Sequence, residues 1–129
     1  TVYSAICHGM LTRFPGVRLI SVENGGSWVL PALKQLDSVY KKMPKDFAEH
    51  PRETFLRSIY VSPFWEDQLD ALIDEIGAER VCFGSDYPHP EGLENPISYI
   101  DELSDRSDDE RRRIMGGNLY DLVGVAQPA

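Results

Sequence analysis

A chain of 129 residues with 42% hydrophobic content is long enough for one domain with a sizeable core. Its formal net charge of −8 argues against a nucleic-acid backbone as partner, since such binding needs clustered Lys and Arg. No apolar run approaches the roughly 20 residues that span a bilayer and no signal-like segment opens the chain, so no membrane partner is expected. Cys7 and Cys82 lie far apart, neither in a Cys-x-x-Cys pair, and both read as reduced core thiols of a cytoplasmic protein. The chain begins at Thr1, directly in helix-like sequence, as a piece of a longer protein would.

Ile6, Met10 and Phe14 recur at helical spacing and predict a helix over residues 5–14, ending at Pro15-Gly16. His8 on that segment reads as a surface or packing residue. The β-branched run Val17 to Val22 predicts a strand, closed by Glu23-Asn24-Gly25-Gly26-Ser27. Gly25-Gly26 lacks the spacing of a phosphate-binding loop and reads as a turn into the next helix. That helix carries Pro31 in its first turn and Leu33, Leu36 and Tyr40 on one side. Trp28, at its start, reads either as a pocket wall or as core. From Lys41 to Arg57, prolines alternate with charges and predict a long connection, with His50 as an exposed loop residue.

Residues 58–62 form the next predicted strand, stopped by Pro63-Phe64-Trp65. A helix follows from Glu66, with Leu69, Leu72, Ile73 and Ile76 on one stripe and Gly77 at its end. Val81 to Phe83 is a third buried strand, and it stops at Gly84-Ser85-Asp86. Strand, helix, strand at this period means parallel βαβ units with right-handed crossovers. Glu23, Ser62 and Asp86 thus mark three parallel strand ends, the place where α/β sheets put catalytic groups. Taken alone, Asp86 reads either as a turn cap or as a catalytic acid. Gly84 beside it would leave room for a metal or substrate to approach the backbone. Pro88 and Pro90 set an extended path for His89.

Beyond Gly92, a helix is predicted around residues 96–103. The acid-rich residues 101–110 fail as a calcium loop, because Leu103 and Arg106 occupy positions that need oxygen and glycine. Ser107 and Glu110 form a capping box instead. Gly116-Gly117 breaks that helix, and Asn118 caps a last one that ends at Gly124. The whole chain, residues 1–129, reads as one segment without repeats or linkers.

Three stretches carry a family resemblance: Arg18 to Trp28, Ile59 to Phe64, and Phe83-Gly84-Ser85-Asp86-Tyr87-Pro88-His89-Pro90-Glu91-Gly92. Ile114-Met115-Gly116-Gly117-Asn118 fits the same pattern. Together they resemble the amidohydrolase-related group of the metal-dependent amidohydrolase superfamily, which includes aminocarboxymuconate-semialdehyde decarboxylase. The resemblance implies an α/β fold that is the C-terminal portion of a TIM barrel. About three parallel strands with surrounding helices would be present, and the barrel is incomplete, since a whole one takes about 250 residues. It implies that Asp86 is catalytic and bound to or beside a divalent metal, commonly zinc. The remaining ligands, a His-x-His pair and a further histidine, would precede Thr1. Glu23 stands where decarboxylases of the group often carry histidine, and so becomes a second active-site carboxylate that cannot act as an imidazole. His89, Trp28 and Phe64 would line the pocket for a small-molecule substrate.

Metal-dependent hydrolysis is the leading expectation for activity. Nonoxidative decarboxylation of an aromatic or unsaturated carboxylic acid is the second, and a non-catalytic remnant or interaction module the third. Bare strand edges and apolar faces, left by a barrel cut at three strands, imply assembly into a homo-oligomer or residence in a longer protein.

Overall fold

The structure, a computed structural model, describes residues 1–90 and 92–127, so Glu91 of the motif above lies outside the described residues. In chain order the elements are α1 (Val2–Cys7), α2 (Met10–Arg13), β1 (Leu19–Ser21), α3 (Val29–Lys42), α4 (Pro51–Ser58), β2 (Ile59–Val61), α5 (Leu69–Ile76), α6 (Asp108–Arg112) and α7 (Asn118–Val123). Tight 3-10 turns at Ala78–Arg80 and Pro96–Leu103 and a widened turn at Arg113–Gly117 complete the second half. Among the described residues, no helix is long and apolar enough to cross a membrane. The chain gathers into two compact units, one of residues 1–19 and 28–59, the other of residues 20–27 and 60 onward.

The first unit is helical. Its buried side chains include Ile6, Leu11, Val29, Leu33, Leu36 and Phe55, each contributing about 1.5–3 kcal/mol on leaving water. The single helix expected over residues 5–14 is two, because Gly9 turns left-handed (φ 71°) and divides α1 from α2. The break leaves Cys7 exposed at the end of α1, so it is not a core thiol; Ala5 and Ile6 take the buried face instead. His8 is exposed, with its ring beside the Ser4 carbonyl.

Residues 51–58 are likewise not a connection but helix α4. Pro51 at its first position has the φ a helix needs, and the His50 ring accepts the Arg52 N–H at 3.2 Å. His50 is therefore a half-buried helix cap, its ring 4.1 Å from that of Tyr40, rather than an exposed loop residue. Arg57 donates to both oxygens of Glu49, at 2.6 and 2.8 Å, and to the Leu11 carbonyl.

The second unit holds the strand ends. Ser62 N–H donates to the Ser21 carbonyl at 2.9 Å, and Val61 bridges Val81 in parallel, with Cys82 N–H donating to the Val61 carbonyl at 2.9 Å. The expected third strand is reduced to this one bridge: Phe83 N–H turns to the Ile114 carbonyl (2.8 Å), and the ladder stops. Helix α5 buries the expected stripe Leu69, Leu72, Ile73 and Ile76, and Gly77 ends it at φ 86°. Arg106 ties the loop ahead of α6 to α5 through Asp70 and Asp74, at 2.7 Å each. The Ser107–Glu110 capping box is formed at the start of α6.

Asn118 is not a cap. It is the first residue of α7, after the cap position at Gly117, is 3% exposed, and its amide donates to the Ala78 and Val81 carbonyls at 2.7 Å each. A helix side chain thus fixes the backbone that leads to Asp86.

Candidate active site

Glu23 follows β1, and Asp86 follows the bridged stretch at Val81. Both adopt left-handed backbone, φ 58° and 53°, and they are the two non-glycine residues that do so among the described residues. That conformation costs about 1–3 kcal/mol for an L-residue and persists where surrounding structure enforces it, a pattern that clusters at functional sites. Asp86 is half-buried and Glu23 exposed.

His89 does not follow an extended path. Its N–H donates to the Asp86 carbonyl at 2.8 Å, and Gly92 N–H to the His89 carbonyl at 3.1 Å, so the loop curls back on itself. Gly92 is needed there, because a Cβ would meet the Asp86, His89 and Ser85 carbonyls at 3.2–3.3 Å. The result is a cluster: one ligand atom each from Glu23, Asp86 and His89, all within 4.8 Å of one another. Two carboxylates and an imidazole at this separation are a donor set of the kind that holds zinc or a similar divalent ion.

A cavity of about 330 Å³ opens beside the cluster. Glu23, Asp86, His89 and Phe64 line it, together with Trp65, Phe83, Ser85 and Tyr99, which the sequence reading did not single out. Phe83 belongs to the predicted third strand and Tyr99 to the helix predicted around residues 96–103; their rings pack at 5.2 Å and form the apolar wall. The Tyr99 hydroxyl is driven upward in pKa by burial and then by the Asp67 and Glu102 charges, and it stays protonated. The one usable signal for Phe83 was its place in the motif, three residues before Asp86.

One expectation changes. Trp28 is not among the lining residues; its ring packs against Phe55 with centroids 6.0 Å apart, which is the core reading. Gly84 also lines the cavity, so its backbone faces that space beside the acid, while a Cβ there would stand 2.4 Å from Ser62 Oγ. Gly84 is small so that the second and third strand ends can touch. Cys82, behind the wall, is buried as expected, and burial lifts its thiol to a pKa of about 11.

Acidic groups at the first and third of three parallel strand ends, gathered over one cavity, match the rim of an α/β barrel. A family model described as Amidohydrolase matches residues 1–125, and the chain belongs to that family. It is 38% identical to a solved amidohydrolase from Mycobacterium avium subsp. paratuberculosis, with a TM-score of 0.92, covering 95% of this chain and 32% of that one. A 5-carboxyvanillate decarboxylase from Sphingomonas paucimobilis shares the fold at 20% identity and a TM-score of 0.76, covering 95% of this chain and 38% of the other. The 2-amino-3-carboxymuconate-6-semialdehyde decarboxylase of Dictyostelium discoideum is 25% identical over 96% of this chain and 36% of its own length. The chain therefore spans about a third of the relatives it matches, and its fold is a portion of their TIM barrel. Members of this superfamily generally bind a divalent metal.

Proposed function

We propose that this chain supplies part of the active site of a metal-dependent amidohydrolase that hydrolyses a small organic substrate. The observation that carries this is the convergence of Glu23, Asp86 and His89 within 4.8 Å at strand ends where both acids hold left-handed backbone. The donor set fits a divalent cation, zinc being the natural choice, and Asp86 is its anchor, with ligands from residues outside this chain. The chemistry such a cation supplies when bound is Lewis-acid polarisation of a substrate oxygen.

Asp86, fixed by the rigid segment behind it, accepts the proton of the attacking water. Asp86 then returns that proton to the leaving group, while His89 shares in holding the cation. Glu23 orients the substrate or shares in holding the cation. Phe64, Phe83 and Tyr99 exclude bulk water from the cavity, which strengthens each of these polar contacts.

Nonoxidative decarboxylation is the second reading, favoured by the names of two of the relatives above. Against it stands Glu23, a carboxylate that cannot do the work of an imidazole and that repels a substrate carboxylate. A panel of esters, lactones and amides, run beside aromatic and unsaturated carboxylic acids with carbon dioxide release as readout, separates the two. Hydrolysis that falls at least about 100-fold in Asp86→Asn is the expected result. Carbon dioxide release without hydrolysis would establish the second reading, and turnover undiminished in Asp86→Asn would remove Asp86 from the chemistry.

A further inference from the structure

Asp67 lies outside the cavity lining, yet one of its oxygens holds two loops together. Oδ2 accepts the Gly26 N–H at 2.6 Å and the Phe64 N–H at 2.8 Å. Gly26 belongs to the loop that leaves β1 through Glu23, and Phe64 to the loop that leaves β2.

Gly25 and Gly26 carry no side chain to hold their loop away from its neighbours. A Cβ on Gly25 would stand 2.9 Å from the Phe64 ring, and one on Gly26 would stand 2.8 Å from Leu72 and 3.1 Å from Pro63. Gly25 also needs its left-handed φ of 60°. The loop of residues 23–26 is thus pressed against its neighbour, and the Asp67 carboxylate fixes the register of that contact. Glu23 sits three residues before the clamped amide, so its distance from Asp86 and His89 follows from where Gly26 is held.

We propose that Asp67 is a positioning residue that holds Glu23 and Phe64 in place at the rim of the active site. The proposal rests on the reading of Glu23 as a member of the metal-binding cluster. It makes the oxygen, rather than the charge, the essential element, because one acceptor atom takes both bonds. Misplacement of a site group by about 1 Å can cost on the order of 100-fold in rate, and loss of a supporting partner about 10- to 100-fold in metal affinity.

The test uses the full-length protein, zinc titration, and amide hydrogen exchange. Asp67→Ala should weaken zinc binding about 10-fold or more and speed exchange at Gly26 and Phe64, while α5 stays protected. Asp67→Asn keeps an oxygen acceptor and should recover most of the lost affinity. Zinc affinity unchanged in Asp67→Ala but lost in Glu23→Gln would overturn the clamp. Equal loss in the Ala and Asn variants would overturn the claim that the oxygen suffices. Free exchange of the Gly26 amide in the unsubstituted protein would refute it without any variant having to fold. If Glu23→Gln leaves zinc affinity unchanged, the reading of Glu23 fails, and the proposal with it.

Discussion

Gly84→Ala tests whether close contact between two strand ends sets the geometry of the acid. The added methyl would stand 2.4 Å from Ser62 Oγ, about 1 Å inside ordinary contact distance, and Ser62 is 7% exposed, so it has little room to withdraw. Overpacking of this kind costs typically about 1–3 kcal/mol, and rotation of one hydroxyl brings the expected loss to about 1–2 kcal/mol. Asp86 lies two residues further on, so kcat should fall along with stability. Ser62→Ala removes the opposing oxygen and leaves its Cβ at 3.7 Å, an ordinary contact. The double variant should therefore recover most of both losses, with a coupling of about 1 kcal/mol in urea unfolding. Strictly additive losses would show that the two side chains do not collide.

Replacing Asn118 by Leu keeps the volume but removes both donors to the Ala78 and Val81 carbonyls, and should cost about 2–4 kcal/mol by urea midpoint. In the native protein, a thiol reagent at pH 8 should modify exposed Cys7 and spare Cys82, whose thiol is buried and lifted to about 11; equal labelling would contradict the packing. Hydrogen bonding from Arg57 holds the Glu49 carboxyl below its usual range. A depressed folded pKa means the stabilisation is present above the unfolded pKa and is lost as pH falls through the folded one. Glu49→Gln should thus cost about 0.2–1 kcal/mol at pH 7 and nothing once the acid is protonated in both states.

The βα order, the stripe of α5 and the capping box at Ser107 were legible because each is a local pattern that tertiary packing did not override. So was Asp86, since a short apolar run ending in Gly-Ser-Asp can put the acid in one place. Helix α4 was hidden because its cap is a histidine, and alternating prolines and charges masked the buried face of Thr54, Phe55 and Ser58. The inward turn of His89 was hidden for a different reason: it depends on backbone bonds to Asp86 and Gly92, which no periodicity announces. Trp28 illustrates the converse, since an aromatic at a helix start has the same sequence signature whether it lines a pocket or, as here, packs on Phe55. Asp67 carried no signal at all, because its role is defined by two amides, one of them 41 residues away.

The proposed function requires Glu23, Asp86 and His89 to act as one donor set. Zinc affinity of the full-length protein, measured by competition with a chromophoric chelator, addresses this directly. Asp86→Ala should weaken binding by at least about 100-fold, and His89→Ala and Glu23→Ala by about 10-fold or more. Zinc bound as tightly by all three variants as by the native protein would contradict the account.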